Sequence, residues 1–181
     1  MKVIHSDDYQ KIKIRAAGND DAAFFEKLYV AVRRIEFAML GWDEHQILPV
    51  LKMQFDAQTR GYRGQFPNLK EFVVETNGEA VGRLVLTDEM RLVDIAVSPA
   101  RRNLGIGSFV LKHLLDKADG ENKNIFLRVL KTNTEARRLY MRFGFQTTGE
   151  DDLYLMMRRH SLPKRKNQIS QKEKFRNYEC P

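Results

Sequence analysis

Two glycines, Gly105 and Gly107, stand one residue apart between a strand pattern and a helix pattern. The apolar run RLVDIAV covers 91–97, and the apolar residues after the glycines recur every three or four positions up to Ala118. Glycine costs backbone entropy, so a pair at the start of a helix indicates that the backbone itself has a task there. The chain is therefore expected to contain a strand, a tight turn and a helix that packs on a sheet.

The remaining periodicity predicts the rest of the architecture. Helix patterns cover about 19–41, 43–62 and 132–144, and Pro49 is expected either in the first turn of the second helix or at a kink. Strands are predicted at 11–17, 71–76, 79–86, 91–97, 125–130, 145–149 and 153–158. This order predicts an α/β fold, in which a mixed sheet of six or seven strands carries helices on both faces.

Composition narrows the classes of protein. A chain of 181 residues with 43% hydrophobic residues is expected to form one domain, at 1–160. It has no apolar run of the ~18 residues that a membrane span needs, no signal-peptide pattern and one cysteine, Cys180, so we expect a cytoplasmic protein. Much of the net charge of +7 lies in 161–181, which is expected to be a solvated, flexible tail.

The glycine loop has two interpretations on spacing alone. A helix N-terminus presents unpaired N–H groups, and glycines lack the Cβ atoms that would keep a phosphate away from them. The dinucleotide fingerprint is incomplete because Val110 stands where its third glycine belongs, and no Gly-Lys-Ser/Thr of a P-loop follows. The loop is therefore either a phosphate cradle or a plain strand-to-helix turn.

Three motifs taken together resemble the GNAT superfamily of N-acetyltransferases. RNLGIG at 102–107 fits the Q/R-x-x-G-x-G/A motif of that superfamily and follows the strand LVDIAV. NTEARRLYMRFGF at 133–145 resembles its N-x-x-A-x-x-L-Y-x-x-x-G-F segment, and NGEAVGRL at 77–84 resembles its second-to-third-strand hairpin. The resemblance covers about 12–158 and implies a GNAT-like sheet with a splay between the fourth and fifth strands.

The resemblance implies acetyl-CoA as co-substrate. The N–H groups of the glycine loop would hold its pyrophosphate, and its pantetheine arm would enter the splay like an extra strand. The amide of Val97 would polarise the thioester carbonyl. The residues implied for coenzyme binding are Ile95, Ala96, Val97, Arg102, Asn103, Leu104, Gly105, Ile106, Gly107, Ser108, Asn133 and Tyr140.

Tyr140 and Asp94 are the candidate catalytic residues. The resemblance implies that Tyr140 protonates the departing thiolate, and Asn133 lies two helical turns before it on the same face. Helix physics alone would make Tyr140 a core aromatic and Asn133 a plain cap. Asp94 interrupts an apolar strand, on the face opposite Ile95 and Val97, which is costly unless the carboxylate is paired or used. It serves either as base or amine ligand, or as the partner of a nearby arginine.

The first two helices and their connection are expected to wall the acceptor pocket, as the resemblance implies. The candidate substrate contacts are Trp42, Glu44, His45 and Glu75, the last of which is also a reserve base. The alternative is that Trp42 packs, that Asp43 caps the second helix and that His45 is exposed.

The favoured function is the direct transfer of an acetyl group from acetyl-CoA to a primary amine of a small molecule or a protein. One alternative is a coenzyme A-binding module of the same fold without turnover. A weaker one is nucleic-acid binding through the tail. No residue spacing suggests a metal site, and a homodimer is left open.

Overall fold

The computed structural model describes residues 12–37 and 41–162, so the basic tail from 163 onward lies outside the described residues. The helices and strands of this part are β1 (Ile12–Ala16), α1 (Ala22–Phe37), α2 (Glu44–Gln65), β2 (Leu69–Thr76), β3 (Glu79–Thr87), β4 (Arg91–Val97), α3 (Ile106–Gly120), β5 (Ile125–Leu130), α4 (Thr134–Arg142), β6 (Gln146–Glu150) and β7 (Tyr154–Arg159). The predicted α/β fold with a mixed sheet is confirmed. None of the described helices has the length and apolar character needed to cross a membrane.

The sheet opens in its middle. Its strand order is β1-β2-β3-β4-β5-β7-β6, and all neighbouring strands are antiparallel except β4 and β5. These two parallel strands pair only at Arg91–Phe126 and Leu92–Leu127, although β4 continues to Val97. The predicted splay between the fourth and fifth strands is therefore present, and it leaves one edge of β4 unpaired with β5 from Val93 onward.

Helices cover the two faces of the sheet, and a hydrophobic core lies under each set. On one face, α3 and α4 pack on strands from both sides of the opening, around Val110, Leu111 and Leu114 of α3. On the other face, Phe25 of α1 and Phe55 of α2 pack on Val73 of β2. Since side chains alternate along a strand, neighbouring residues of β4 point toward different helix pairs.

The start of α2 follows from a capping box. The Asp43 side chain accepts a hydrogen bond from the Gln46 N–H at 2.9 Å, and the Gln46 side chain accepts one from the Asp43 N–H at 3.0 Å. Pro49 lies beyond the first turn, and the helix continues without interruption to Gln65. Because proline has no N–H, the carbonyl of His45 loses its helical donor there.

A glycine sets the spacing between β3 and β4. Gly82 lies opposite Val97 in the antiparallel register. A Cβ atom added at Gly82 would lie 2.8 Å from the carbonyl oxygen of Ala96 and 3.3 Å from the Cβ of Val74. The first of these contacts is with backbone, which cannot swing aside as a flexible side chain can. Any larger residue at this position would therefore push β4 away from β3.

A buried ion pair fastens the end of α3 to β7. Arg159, which is only 7% exposed, donates to both carboxylate oxygens of Asp119, and one of these bonds measures 2.8 Å. Asp119 also accepts from the Leu162 N–H at 2.7 Å. The hydrogen bonds from Arg159 hold the pKa of Asp119 below its ordinary value of 3.8.

We expect Gly82→Ala to lower the free energy of unfolding by about 1–3 kcal/mol, because overpacking against a strand is relieved only by moving it. Gly61→Ala is the matched control, since a Cβ at Gly61 in α2 meets nothing within 4 Å. Replacing glycine in a helix interior should stabilise by roughly 0.5–1 kcal/mol. Urea unfolding measures both; equal stability of Gly82→Ala and wild type would contradict the close approach.

We expect Asp119→Asn to destabilise by about 2 kcal/mol, because it leaves the buried Arg159 without its counter-charge. Asp116→Asn, exposed on the same helix, is the control. The folded-state pKa of Asp119 is lowered, so its contribution is complete well above pH 3.8 and is lost as the pH falls below that value. The gap in melting temperature between wild type and Asp119→Asn should therefore shrink in acid, and a gap independent of pH would contradict the ion pair.

Candidate active site

A cleft of about 1150 Å³ passes through the opening between β4 and β5. One part, here called the loop arm, is lined by β4, the glycine loop and α4. The other part, here called the helix arm, is lined by α1, α2 and the middle of β3. The residues of the loop arm are Ile95, Ala96, Val97, Arg101, Arg102, Asn103, Gly105, Ile106, Gly107, Ser108, Leu130, Asn133, Glu135, Ala136, Arg138, Leu139, Met141 and Arg142. Those of the helix arm are Phe25, Leu28, Tyr29, Val32, Arg33, Gln58 and Arg83. Asp94 of β4 also lines the cleft, between the two sets.

The glycine loop presents bare backbone to the loop arm. Gly105 adopts a left-handed conformation with φ +75°, which glycine reaches at no steric cost, and no side chain caps α3. The first helical bond runs from the Phe109 N–H to the Gly105 carbonyl at 2.9 Å. The N–H groups of 106–108 therefore precede the helical ladder, as the first donors of any helix do. A Cβ added at Gly107 would lie 3.5 Å from a side-chain carbon of Leu139, so α4 already lies close to the backbone of Gly107.

The open edge of β4 lies beside this loop. Ile95, Ala96 and Val97 all line the cleft, on the side where β5 has moved away. Main-chain groups at an unpaired edge can bind an extended molecule as a neighbouring strand would. The loop arm therefore combines an anion site at a helix N-terminus with a slot for an extended, narrow chain.

Asp94 belongs to a charged group that crosses three strands. Arg83 of β3 donates to Glu71 of β2, and its Nη1 lies 3.7 Å from Oδ2 of Asp94. The Arg83 guanidinium also lies over the rings of Phe25 and Phe55, 5.0 and 5.9 Å from their centres. Arg83 is only 3% exposed, whereas the side chain of Asp94 is 27% exposed. Asp94 thus has an arginine partner and also reaches the cleft.

Burial governs the protonation of this group. Burial raises the pKa of Asp94 above its ordinary value, while the positive charges of Arg83 and Arg33 and a hydrogen bond from the Ile95 N–H oppose the rise. Two phenols are affected in turn. The pKa values of Tyr62 and Tyr140 are raised, mainly by burial and to a smaller extent by the negative charge of Asp94. Both hydroxyls therefore keep their protons at neutral pH.

The two residues predicted on one face of α4 have different surroundings. Asn133 lines the cleft and also caps α4, where its side chain accepts from the Ala136 N–H at 3.1 Å. Tyr140 lies in the core with 6% exposure, its ring 5.6 Å from that of Phe145, and is not among the lining residues. Leu104 is exposed and is likewise outside the lining, unlike the rest of 102–108.

The four residues predicted to contact the substrate lie outside the lining of this cleft. Trp42 is exposed, with its ring 6.1 Å from that of Phe37, and Glu44 pairs with Arg34. His45 is exposed on the first turn of α2. Glu75 faces β1, where its carboxylate accepts from Arg15 at 2.7 Å.

Sequence reasoning missed the polar residues that do line the helix arm: Tyr29, Arg33, Gln58 and Arg83. Arg83 could have been found, because it is the one charge within the apolar run AVGRLVL, just as Asp94 is in the next strand. The others sit in ordinary amphipathic helices, where nothing in the pattern distinguishes them. Among the described residues, no cluster of three or more His, Cys, Asp or Glu is arranged to hold a metal.

Known proteins resemble this chain in sequence over part of its length and in fold over most of it. Over 83 residues the chain is 32% identical to the 5-NmdU N-acetyltransferase of Pseudomonas phage PaMx11. This match covers 43% of the chain and 58% of that relative. The PaiA N-acetyltransferase of Thermoplasma acidophilum, solved in complex with coenzyme A, superposes with a TM-score of 0.64 at 15% identity. That match covers 82% of this chain and 98% of the other.

A second solved structure, described as histone acetyltransferase HPA2 and related acetyltransferase from Corynebacterium glutamicum, gives a TM-score of 0.62 at 22% identity. It covers 85% of this chain and 99% of that one. At these identities the two structures show a shared fold. The model of the acetyltransferase (GNAT) family matches residues 37–145, which is more than half of the chain. This protein therefore belongs to the acetyltransferase (GNAT) family.

Proposed function

We propose that this protein transfers the acetyl group of acetyl-CoA to a primary amine by direct attack while both substrates are bound. The observation that carries the proposal is one continuous cleft that joins an uncapped helix N-terminus, an open strand edge and a carboxylate with a raised pKa. Members of the family use acetyl-CoA, and the phage relative is named as an N-acetyltransferase.

The loop arm fits the coenzyme in shape and charge. The N–H groups of 103–108 would bind the pyrophosphate, because Gly105 and Gly107 leave the backbone uncovered. The Arg102 N–H already donates to the Pro99 carbonyl at 3.3 Å. Backbone groups of Ile95 and Val97 would pair with the pantetheine arm, and the Val97 amide would polarise the thioester carbonyl. Ala96 also lines the cleft, but its carbonyl faces Gly82 of β3. Asn133 would hydrogen-bond the pantetheine from the start of α4.

Asp94 would receive the proton of the attacking amine. Alkylamines are protonated at neutral pH, with pKa values near 10.4, so the nitrogen needs a base before it can attack. The carboxylate lies in the cleft beside the open edge of β4, and its raised pKa makes it a stronger base than an exposed aspartate. The pairing with Arg83 orients it, and the positive charge of Arg83 opposes the rise in its pKa.

Tyr140 would supply the proton that the departing thiolate needs. A new C–N bond forms as the C–S bond breaks, the amine loses a proton and the sulfur gains one. Burial raises the pKa of Tyr140, so its hydroxyl stays protonated until negative charge develops on the sulfur. Its ring lies in the core outside the cleft lining, so this role requires the bound thioester to come within reach of the hydroxyl. No covalent acyl-enzyme is needed, because orientation of two bound substrates supplies most of the rate.

Binding of acetyl-CoA is tested by thermal denaturation. At about 100 times the dissociation constant, acetyl-CoA should add roughly 2.7 kcal/mol of stability, and the melting temperature should rise by several degrees. Gly105→Glu should abolish the rise, because it places a side chain and a negative charge in the cradle. Gly64→Ala in α2, in open space, should leave the rise intact. The absence of a rise in the wild type would overturn the proposal.

Turnover is tested by thiol release from acetyl-CoA with a panel of amines, as a function of pH. A base must be ionised, so kcat/KM should fall as the pH drops through the pKa of Asp94, which lies above the ordinary 3.8. Asp94→Asn and Tyr140→Phe should each lower kcat by about 10²–10⁴, and Asp94→Asn should lose the acidic limb of the profile. A stable complex with acetyl-CoA that releases no thiol would instead make the protein a coenzyme-binding module.

A further inference from the structure

Two buried polar atoms of the helix arm lack hydrogen-bond partners in the part of the chain that the structure describes. They are Oε1 of Gln58, on α2, and Nε of Arg83, on β3. Both residues line the cleft together with Asp94. Buried polar atoms without a partner cost free energy, so they mark places that a bound molecule is expected to satisfy.

The two atoms differ in what they require. Oε1 of Gln58 accepts hydrogen bonds, so it needs an N–H or O–H group of the ligand. The N–H at Nε of Arg83 donates, so it needs an oxygen that accepts. The other two nitrogens of Arg83 face Glu71 and Asp94, which fixes the guanidinium in place and leaves Nε as its one nitrogen without a partner among the described residues.

The charges of the helix arm limit the ligand further. Arg33 and Arg83 line it, and Asp94 is the one carboxylate among the lining residues at this end of the cleft. Arg33 also lies over the Tyr29 ring, 5.7 Å from its centre. Asp94 can receive one ammonium group, and no second carboxylate among the described residues lines this end of the cleft to receive another.

We infer that the helix arm binds the acceptor, and that the acceptor is a primary amine carrying a carbonyl or carboxylate oxygen close to its nitrogen, rather than a polyamine. The amino group lies against Asp94 and Gln58, and the oxygen accepts from Arg83. This inference rests on the proposed function, since it names the second substrate of the same transfer. It replaces the acidic contacts expected at Glu44, at the start of α2, and at Glu75, on β2, because both carboxylates are engaged elsewhere.

The test compares amines matched in length. Ethylamine, ethylenediamine, glycine and glycinamide form a short series, and butylamine, putrescine, γ-aminobutyrate and its amide form a longer one. Thiol release from acetyl-CoA gives kcat/KM for each amine. Each value is calculated from the concentration of the deprotonated amine, so that differences in amine pKa do not determine the ranking of the amines. In at least one series, an oxygen-bearing amine should exceed both the alkylamine and the diamine by about tenfold or more.

Variants locate the recognition in the helix arm. Gln58→Leu keeps the volume and removes the acceptor, and should raise KM for the preferred amine about tenfold while leaving KM for acetyl-CoA unchanged. Arg83→Lys keeps the positive charge and removes Nε–H, and should reduce the advantage of the oxygen-bearing amine over the alkylamine. Gln65→Leu, exposed at the end of α2, is the matched control and should change neither value. Thermal denaturation confirms that each variant is folded.

The outcomes separate the inference from the proposed function. Preference for a diamine, or a Gln58→Leu variant with unchanged amine KM, would overturn the acceptor class while acetyl transfer stands. Binding of acetyl-CoA without thiol release from any of the eight amines would overturn the acceptor class as well. The proposed function itself is overturned if acetyl-CoA does not raise the melting temperature, or if it binds but releases no thiol with any amine of the wider panel.

Discussion

The incomplete pairing of β4 with β5 is the constraint on which the rest of this structure depends. Two residue pairs join these parallel strands before they separate, and the main chain of β4 beyond them faces a cleft instead of a neighbour. Unpaired backbone within a sheet is costly unless something satisfies it. The fold therefore contains, as part of its own hydrogen-bonding pattern, a slot for an extended ligand, and the glycine loop at the end of β4 places an anion site beside it.

A second constraint is the charge balance at the centre of the sheet. Arg83 is almost fully buried and lies between Glu71 and Asp94, under the rings of Phe25 and Phe55. Its charge opposes the rise that burial causes in the pKa of Asp94. Packing of α1 and α2 and the protonation of the cleft are thus linked through one side chain. Removing either Glu71 or Asp94 would change the environment of the other carboxylate. The changes in the free energy of unfolding caused by the two substitutions should therefore not be additive.

The sequence predicted most of the fold because its elements carry strong local signals. Alternating apolar runs, the Asn77-Gly78 turn and the caps at Asp43 and Asn133 each fix a local conformation, and the motif around Gly105 placed the loop arm. The helix arm could not be predicted in the same way. Gln58 and Arg33 belong to helices whose sequence patterns report a buried face and an exposed face, but not which polar residue reaches a cleft formed by distant strands. The pairing of Glu75 with Arg15 depends on the strand order, which local patterns do not encode.

The opening of the sheet also divides it into a half of four strands and a half of three, and few backbone hydrogen bonds hold these halves together. What joins them is side-chain packing, because a single hydrophobic cluster includes α3, Leu84 and Leu92 on one side and Leu127 and Met157 on the other. The angle between the two halves therefore depends on the volume of the side chains on α3 and not on the strand register. A family member could widen or narrow its cleft through substitutions at buried positions such as Leu111, which does not itself line the cleft.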